Sequence, residues 1–265
     1  MESSEGLVKS GGWQRSLAQQ VRRLGGMLLD LAYPPVCLNC EAPTAMADTL
    51  CAECFRGLRP ITAPLCPVYG LPFEVSLGPD MVSVEALADP PPFGRARAAV
   101  AYGEVASTLV SRMKYGDRPE LARFCARLMA GAGHELWRER PILVPVPLHP
   151  SRQRERRYNQ STELAHAIGM LTGLGVDPAL VRRSRKTRQQ VGLSGDGRQR
   201  NVAGAFSVHP EALLRTGGRP VVLVDDVYTT GATVKAVTRS LRKAGVDRVD
   251  VVTFARVVIG ADMPI

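Results

Sequence analysis

The stretch Val221-Val-Leu-Val-Asp-Asp-Val-Tyr-Thr-Thr-Gly-Ala-Thr233 constrains this chain more than any other. Its four consecutive aliphatic residues, Val221 to Val224, predict a strand buried on both faces, as in the middle of a parallel sheet. The strand is expected to end there, placing Asp225 and Asp226 at its carboxyl end, where open α/β sheets take ligands. Val227, Tyr228, Thr229, Thr230 and Gly231 then form a short loop, and a helix opens at Ala232. The first turn of a helix has unpaired N–H groups and a positive dipole end, which together attract an anion. Thr229, Thr230 and Thr233 add hydroxyl donors, and Gly231 lets the backbone come close to a phosphate. Asp225 and Asp226 accept hydrogen bonds, as two adjacent hydroxyls of a ribose require. A bare Mg²⁺ site on the acid pair is the competing reading. An ordinary Thr helix cap accounts for one hydroxyl and leaves the acids unexplained. Neither GxxxxGK[ST] nor GxGxxG occurs.

Strands alternate with helices around this motif. Residues 96–102, 142–146, 203–208, 221–224 and 249–254 read as strands. Residues 105–114, 120–138, 159–171 and 232–244 read as helices. That order predicts an α/β unit with a largely parallel sheet flanked by helices. It is expected to span residues 93–265, after a linker at 76–92 that is rich in Pro, Gly and acids. Residues 1–35 read as an amphipathic helix with Trp13, Leu17, Val21, Leu24, Leu28 and Leu31 on one face. No internal repeat is evident.

Residues 36–75 hold two CxxC pairs, Cys37/Cys40 and Cys51/Cys54. Two such turns supply a tetrahedral four-sulfur shell, which suits a structural Zn²⁺ with no position left for water or substrate. Cys66-Pro-Val-Tyr69-Gly70 looks like a third knuckle whose second cysteine is missing, and Cys66 is a competing ligand on spacing alone. Cys125 falls in a predicted helix and reads as core.

The chain has 34 Lys and Arg against 25 Asp and Glu, a formal +9 that favours anionic partners. Eleven of the basic residues fall between positions 141 and 200, against four acids. There Val144-Pro-Val-Pro147-Leu148-His149-Pro150 leads into Arg152, Arg154, Arg156 and Arg157. A stiff Pro-rich turn beside guanidinium groups suits a diphosphate, so Pro147, Leu148, His149 and Arg157 are candidate contacts. Arg152, Arg154, Arg156, Arg157 and Arg188 are candidates for a nucleic-acid backbone, whose binding would be strongly salt-dependent. Tyr158-Asn159-Gln160 opens a helix with Asn159 as its cap. Residues 183–206, basic and rich in Gly, read as a mobile loop of the kind that closes over charged substrates.

The thirteen-residue motif resembles the ribose-phosphate motif of type I phosphoribosyltransferases. By that resemblance Asp225 and Asp226 hold the ribose 2′- and 3′-hydroxyls, and residues 229–233 hold the 5′-phosphate. The ordered set is similar to the ComF family, competence-associated proteins with a zinc ribbon and a phosphoribosyltransferase domain. That set comprises the first helix, the CxxC pairs, Lys114-Tyr-Gly-Asp117, PVPLHP with RRYNQ, Thr187-x-x-Gln190-x-Gly-Leu193, Arg200-Asn201 and the Asp-Asp loop. Arg157 stands where that family often has Gly, which adds a cation.

The resemblance implies 5-phosphoribosyl-1-diphosphate with Mg²⁺ as ligand, single-stranded DNA as a partner, and a link to DNA-uptake machinery. Two functions fit: a ligand-binding module that handles DNA, and a Mg²⁺-dependent phosphoribosyltransferase with Asp225 and Asp226 in the catalytic site. The opening residues include Glu2 and Glu5 and lack a basic leader and apolar run, and no stretch is long enough to span a membrane. The expected location is the cytoplasm.

Overall fold

The computed structural model describes residues 34–75, 78, 81–115, 118–149, 158–185 and 204–258. The helix expected over Trp13–Leu31, the candidates Arg152, Arg154, Arg156, Arg157 and Arg188, and Gly116-Asp117 lie outside them. The chain divides into two compact units, Met1–Cys51 and Ala52–Ile265.

The larger unit is organised by a five-stranded sheet. In chain order its elements are α1 (Ala52–Arg56), β1 (Arg59–Pro60), α2 (Val84–Ala88), β2 (Ala96–Ala101), α3 (Glu104–Tyr115) and α4 (Pro119–Ala132). There follow β3 (Ile142–Pro145), α5 (Gln160–Thr172), β4 (Val181–Arg183), β5 (Phe206–Val208), α6 (Pro210–Thr216), β6 (Val221–Tyr228), α7 (Ala232–Lys243) and β7 (Val249–Arg256). The order across the sheet is β1-β2-β7-β6-β3. Only β1 runs antiparallel to its neighbour; the other pairs are parallel. Val221 to Val224 are at most 1% exposed, so the aliphatic run fills the sheet centre as its composition demands.

Strand β6 corrects the sequence-based boundary, because it runs on through the acids to Tyr228. Its neighbour β7 keeps pairing with it, Asp225 opposite Thr253 and Tyr228 opposite Arg256. On the other side β3 stops at Pro145, opposite Val224. Pro145 and Pro147 have no N–H to give, and the last bond across is from Val146 N to Val224 O at 2.9 Å. The acids therefore sit where β6 still has one partner strand and has lost the other.

Two other boundaries move for identifiable reasons. The helix expected to reach position 138 ends at Ala132, since a side chain at Gly133 would overlap the Trp137 ring, whose Nε1 bonds Ala130 O at 2.9 Å. Strand β4 takes in Arg183, the first residue of the stretch read as a loop, and pairs antiparallel with β5, which lies inside the strand expected over 203–208, with Arg183 opposite Phe206. Arg183 is buried, with its guanidinium 5.3 Å from the Phe206 ring centre, and so packs in the core. Helix α2 lies within the stretch expected as a linker. Among the described residues no helix is long and apolar enough to cross a membrane.

Candidate functional site

Three distant segments meet at the two acids. Asp226 is buried, and its Oδ2 receives the Lys114 ammonium at 2.9 Å and Gln160 Nε2 at 3.3 Å. Asp225 Oδ1 accepts from Ser161 Oγ at 2.9 Å and from the Asp226 N–H at 3.0 Å. Neighbouring positions on a strand face opposite ways. Even so, the first turn of α5 reaches both carboxylates, because β3 has ended beside them. Asn159 fixes that turn: its side chain accepts from Ser161 N at 3.1 Å and donates to Val146 O at 3.0 Å. The Tyr158 hydroxyl donates to Met113 O, tying the end of α3, and with it Lys114, to the same place. Gln160 and Ser161 are not among the site residues expected from the sequence: Gln160 is signalled by its place in RRYNQ, and Ser161 only by the first turn of a helix that follows the basic segment.

The electrostatics are those of a compensated acid pair. Burial, with the Asp226 charge second, pushes the Asp225 carboxyl up to about 7. The Ser161 hydroxyl and the Asp226 N–H work against that rise and do not cancel it. Gln160 is 4% exposed, and its Oε1 is a buried acceptor with no hydrogen-bond partner. Such an atom costs free energy until a donor arrives.

The predicted phosphate segment follows at once. Thr229 and Thr230 are exposed, Gly231 is buried and Thr233 is half-buried. Gly231 precedes α7 with φ 72° and has no side chain to cap it, while Thr230 Oγ1 accepts from Ala232 N at 3.5 Å. Val227 and Tyr228 belong to β6, and the Tyr228 ring turns into the core. Pro147, Leu148 and His149 are half-buried and continue from β3 at the same end of the sheet.

The cysteine cluster is a second centre. The sulfurs of Cys37, Cys40, Cys51 and Cys54 all lie within 4.8 Å of one another. The Cys40 and Cys51 sulfurs are 3.7 Å apart. A tetrahedron with metal–sulfur bonds of about 2.3 Å has edges of about 3.8 Å, so the set fits a zinc ion. Burial disfavours the Cys37 thiolate, yet N–H groups of Cys40, Cys51 and Asn39 outweigh it and bring the thiol down to about 6.

Comparison with known proteins adds the lineage. Residues 28–83 match the Double zinc ribbon domain and residues 156–264 the Phosphoribosyl transferase domain. The chain is 32% identical over 232 residues to DNA utilization protein YhgH of Salmonella typhimurium, covering 85% of this chain and 99% of that one. It is 34% identical over 160 residues to Competence protein F of Haemophilus influenzae, covering 58% and 69%. It is 23% identical over 206 residues to Competence protein ComFC of Bacillus subtilis, covering 75% and 80%. The chain belongs to the ComF family. Among solved structures, TT1426 from Thermus thermophilus is similar at 20% identity, with a TM-score of 0.33 over 52% of this chain and 84% of that one.

The double ribbon corrects the reading that this ComF protein has no internal repeat. In the first knuckle Cys37 N bonds Ala42 O at 2.8 Å, Glu41 N bonds Cys37 O at 3.0 Å, and Glu41 has φ 64°. In the second, Cys66 N bonds Leu71 O at 2.8 Å, Gly70 N bonds Cys66 O at 2.8 Å, and Gly70 has φ 63°. Cys51 precedes α1 as Ser83 precedes α2, and Cys54 and Ala86 are the third residues of those helices. The second ribbon thus carries Cys66, Tyr69, Ser83 and Ala86 where the first carries four cysteines. The Cys66 sulfur instead accepts N–H groups of Tyr69 and Ser83, each at 3.4 Å. Among the described residues only the first set is grouped to hold a metal.

Packing takes the place of that second metal. Arg256 is buried with its guanidinium carbon 4.4 Å from the Tyr228 ring centre and 5.3 Å from that of Tyr69, and it donates to Tyr69 O. Tyr69, Phe93 and Tyr228 meet edge to face at 5.8 to 6.3 Å. This cluster lies directly beneath Gly231, where an added Cβ would overlap the Tyr228 ring and hydroxyl. Gly231→Ala is expected to cost about 2 kcal/mol in unfolding free energy, from positive φ and overlap together. A loss below about 0.5 kcal/mol in denaturant titration would mean the loop relaxes freely and the cluster does not set its position.

Proposed function

We propose that this ComF protein binds 5-phosphoribosyl-1-diphosphate at the end of β6 and single-stranded DNA on its basic segments, acting in the cytoplasm in DNA uptake. The relatives' names, DNA utilization protein and competence protein, support the biological setting. One observation carries the ligand: on one strand–loop–helix unit two carboxylates precede a helix start with Gly231 at its N-cap, and Gln160 of α5, bonded to Asp226, brings an orphaned Oε1 to the acids. The acceptors match vicinal sugar hydroxyls, and the helix start matches a 5′-phosphate. Pro147, Leu148, His149 and Arg157 are assigned to the diphosphate. Mg²⁺ would enter on that diphosphate and offset its charge. Arg152, Arg154, Arg156, Arg157 and Arg188 are assigned to the DNA backbone.

The match to a phosphoribosyl transferase domain favours a second reading, in which the same site transfers the phosphoribosyl group to an acceptor. Asp225 and Asp226 would then act by positioning the ribose while positive charge builds on its ring.

The test is a titration of the full chain with 5-phosphoribosyl-1-diphosphate and Mg²⁺, with and without short single-stranded DNA. Binding is expected to raise the melting temperature. Asp226→Asn should weaken it about tenfold to a hundredfold, as loss of a charged hydrogen-bond acceptor does. DNA binding should fall steeply as salt rises. Absence of stabilisation by the diphosphate would remove the ligand reading, and a flat salt response would remove the DNA surface. Diphosphate release on adding an acceptor, lost in Asp226→Asn, would establish the enzyme.

A further inference from the structure

We propose that Lys114 is a specificity-determining residue of the acid-pair site. Its ammonium makes the two carboxylates a receptor for a neutral diol and excludes a divalent cation that arrives without a phosphate ligand. The inference rests on the ribose-phosphate reading for the identity of the diol.

Paired carboxylates at a strand end are ordinarily a place for Mg²⁺ or Mn²⁺, which take several oxygen ligands. Here one oxygen of each carboxylate is already engaged. Asp226 Oδ2 has the ammonium at 2.9 Å and Gln160 Nε2 at 3.3 Å. Asp225 Oδ1 has the Ser161 hydroxyl and the Asp226 N–H. A cation entering between the acids would meet the ammonium at close range in a partly buried setting, where like charges repel strongly. Sugar hydroxyls carry no such penalty. They also supply the donor that Gln160 Oε1 lacks, an acceptor on a side chain 96% buried against Asp226.

The lysine is placed for this task rather than passing by. It stands in the last turn of α3, away in sequence from both β6 and α5. The preceding residue, Met113, is 1% exposed, and its carbonyl takes the Tyr158 hydroxyl from the segment that leads into α5. Backbone and side chain together hold the ammonium against Asp226. Lys114, which composition alone leaves without a task, acquires one.

Mn²⁺ alone, added to the zinc-loaded full chain and followed by the resonance signal of the free ion, tests the proposal. Wild type should bind it weakly. Lys114→Met and Lys114→Gln should each bind it at least about tenfold more tightly, and Lys114→Arg should behave as wild type. Adding Asp226→Asn to Lys114→Gln should abolish the gain, which shows that the ion sits on the acid pair. Equal Mn²⁺ affinity in wild type and Lys114→Gln would overturn the role of Lys114, and so would a gain that survives Asp226→Asn. Ribose 5-phosphate, added separately to wild type, reports on the parent reading through thermal stabilisation. If it fails to stabilise while the Mn²⁺ pattern holds, the exclusion role stands and the sugar assignment falls.

Discussion

Stripping the metal from this protein is expected to melt residues 36–56 and to leave the second knuckle, residues 65–72, folded. The first ribbon has few groups to hold it: Cys37, Leu38, Leu50 and Cys54 are its buried apolar residues, and two of these are metal ligands. So small a core does not offset the entropy of ordering the chain, whereas a structural zinc contributes about 10–16 kcal/mol of apparent binding free energy. The second knuckle has the same backbone bonds without four sulfurs. It is joined to the sheet by Ala96 N to Val68 O at 2.7 Å and by Arg97 Nη1 to Pro67 O at 3.1 Å. Gly70 approaches β2 so closely that a Cβ would collide with the Ala96 carbonyl. Amide hydrogen exchange before and after chelation reads the difference. The N–H groups of Cys37, Leu38, Glu41 and Thr44, all bonded in the intact ribbon, should lose protection. Those of Cys66 and Gly70 should keep it. Cys51→Ser should act as the chelator does, and metal analysis should give one zinc per chain. Two zinc ions per chain, or equal loss of protection in both knuckles, would refute the account of the second ribbon.

The degenerate ribbon shows why part of this fold was hidden in the sequence. The two knuckles share backbone geometry, but Tyr69, Ser83 and Ala86 stand where cysteines would make the repeat visible. Their partners, Arg256 and Tyr228, are far away in sequence and carry no motif for that contact. The aliphatic run of β6 and the alternation of strands and helices were legible because burial dictates composition. The end of β6 was not, since acids disfavour a strand locally and only pairing with β7 carries it to Tyr228. Strand β4 was hidden by its own charge, as Arg183 opens the basic stretch that reads as a mobile loop until Phe206 is seen against it. Helix α6 had legible signals, Pro210 at its start and Gly217 with φ 58° after its end, on a segment too short for periodicity to register. In the site, the acids and the helix start follow from the motif itself. Lys114, Gln160 and Ser161 reach the acids only through tertiary packing.

The acid pair also gives the protein a pH dependence opposite in sign to that of most carboxylates. Asp225 titrates near the usual 3.8 in the unfolded chain and is pushed up to about 7 by burial and by Asp226. Between those values the folded state holds a proton that the unfolded state has released, so stability must fall as pH rises. Below about pH 4 both states are protonated and the penalty vanishes; above about pH 7 both are ionised and the penalty is complete. About three pH units of difference correspond to a loss on the order of 4 kcal/mol. Lys114 and Asp226, the charged groups facing Asp225, act in opposite directions and leave burial dominant. Asp225→Asn isolates the effect, because an amide oxygen still accepts from Ser161 and from the Asp226 N–H yet does not titrate. The difference in unfolding free energy, variant minus wild type, should therefore rise from near zero at pH 4 by about 4 kcal/mol at pH 8. Titrating groups away from the Asp225, Asp226 and Lys114 cluster contribute equally to both proteins and drop out. A difference that stays flat across this window would place the Asp225 carboxyl at its ordinary value. A difference that falls would mean that its charge is stabilised by Lys114 rather than penalised by burial.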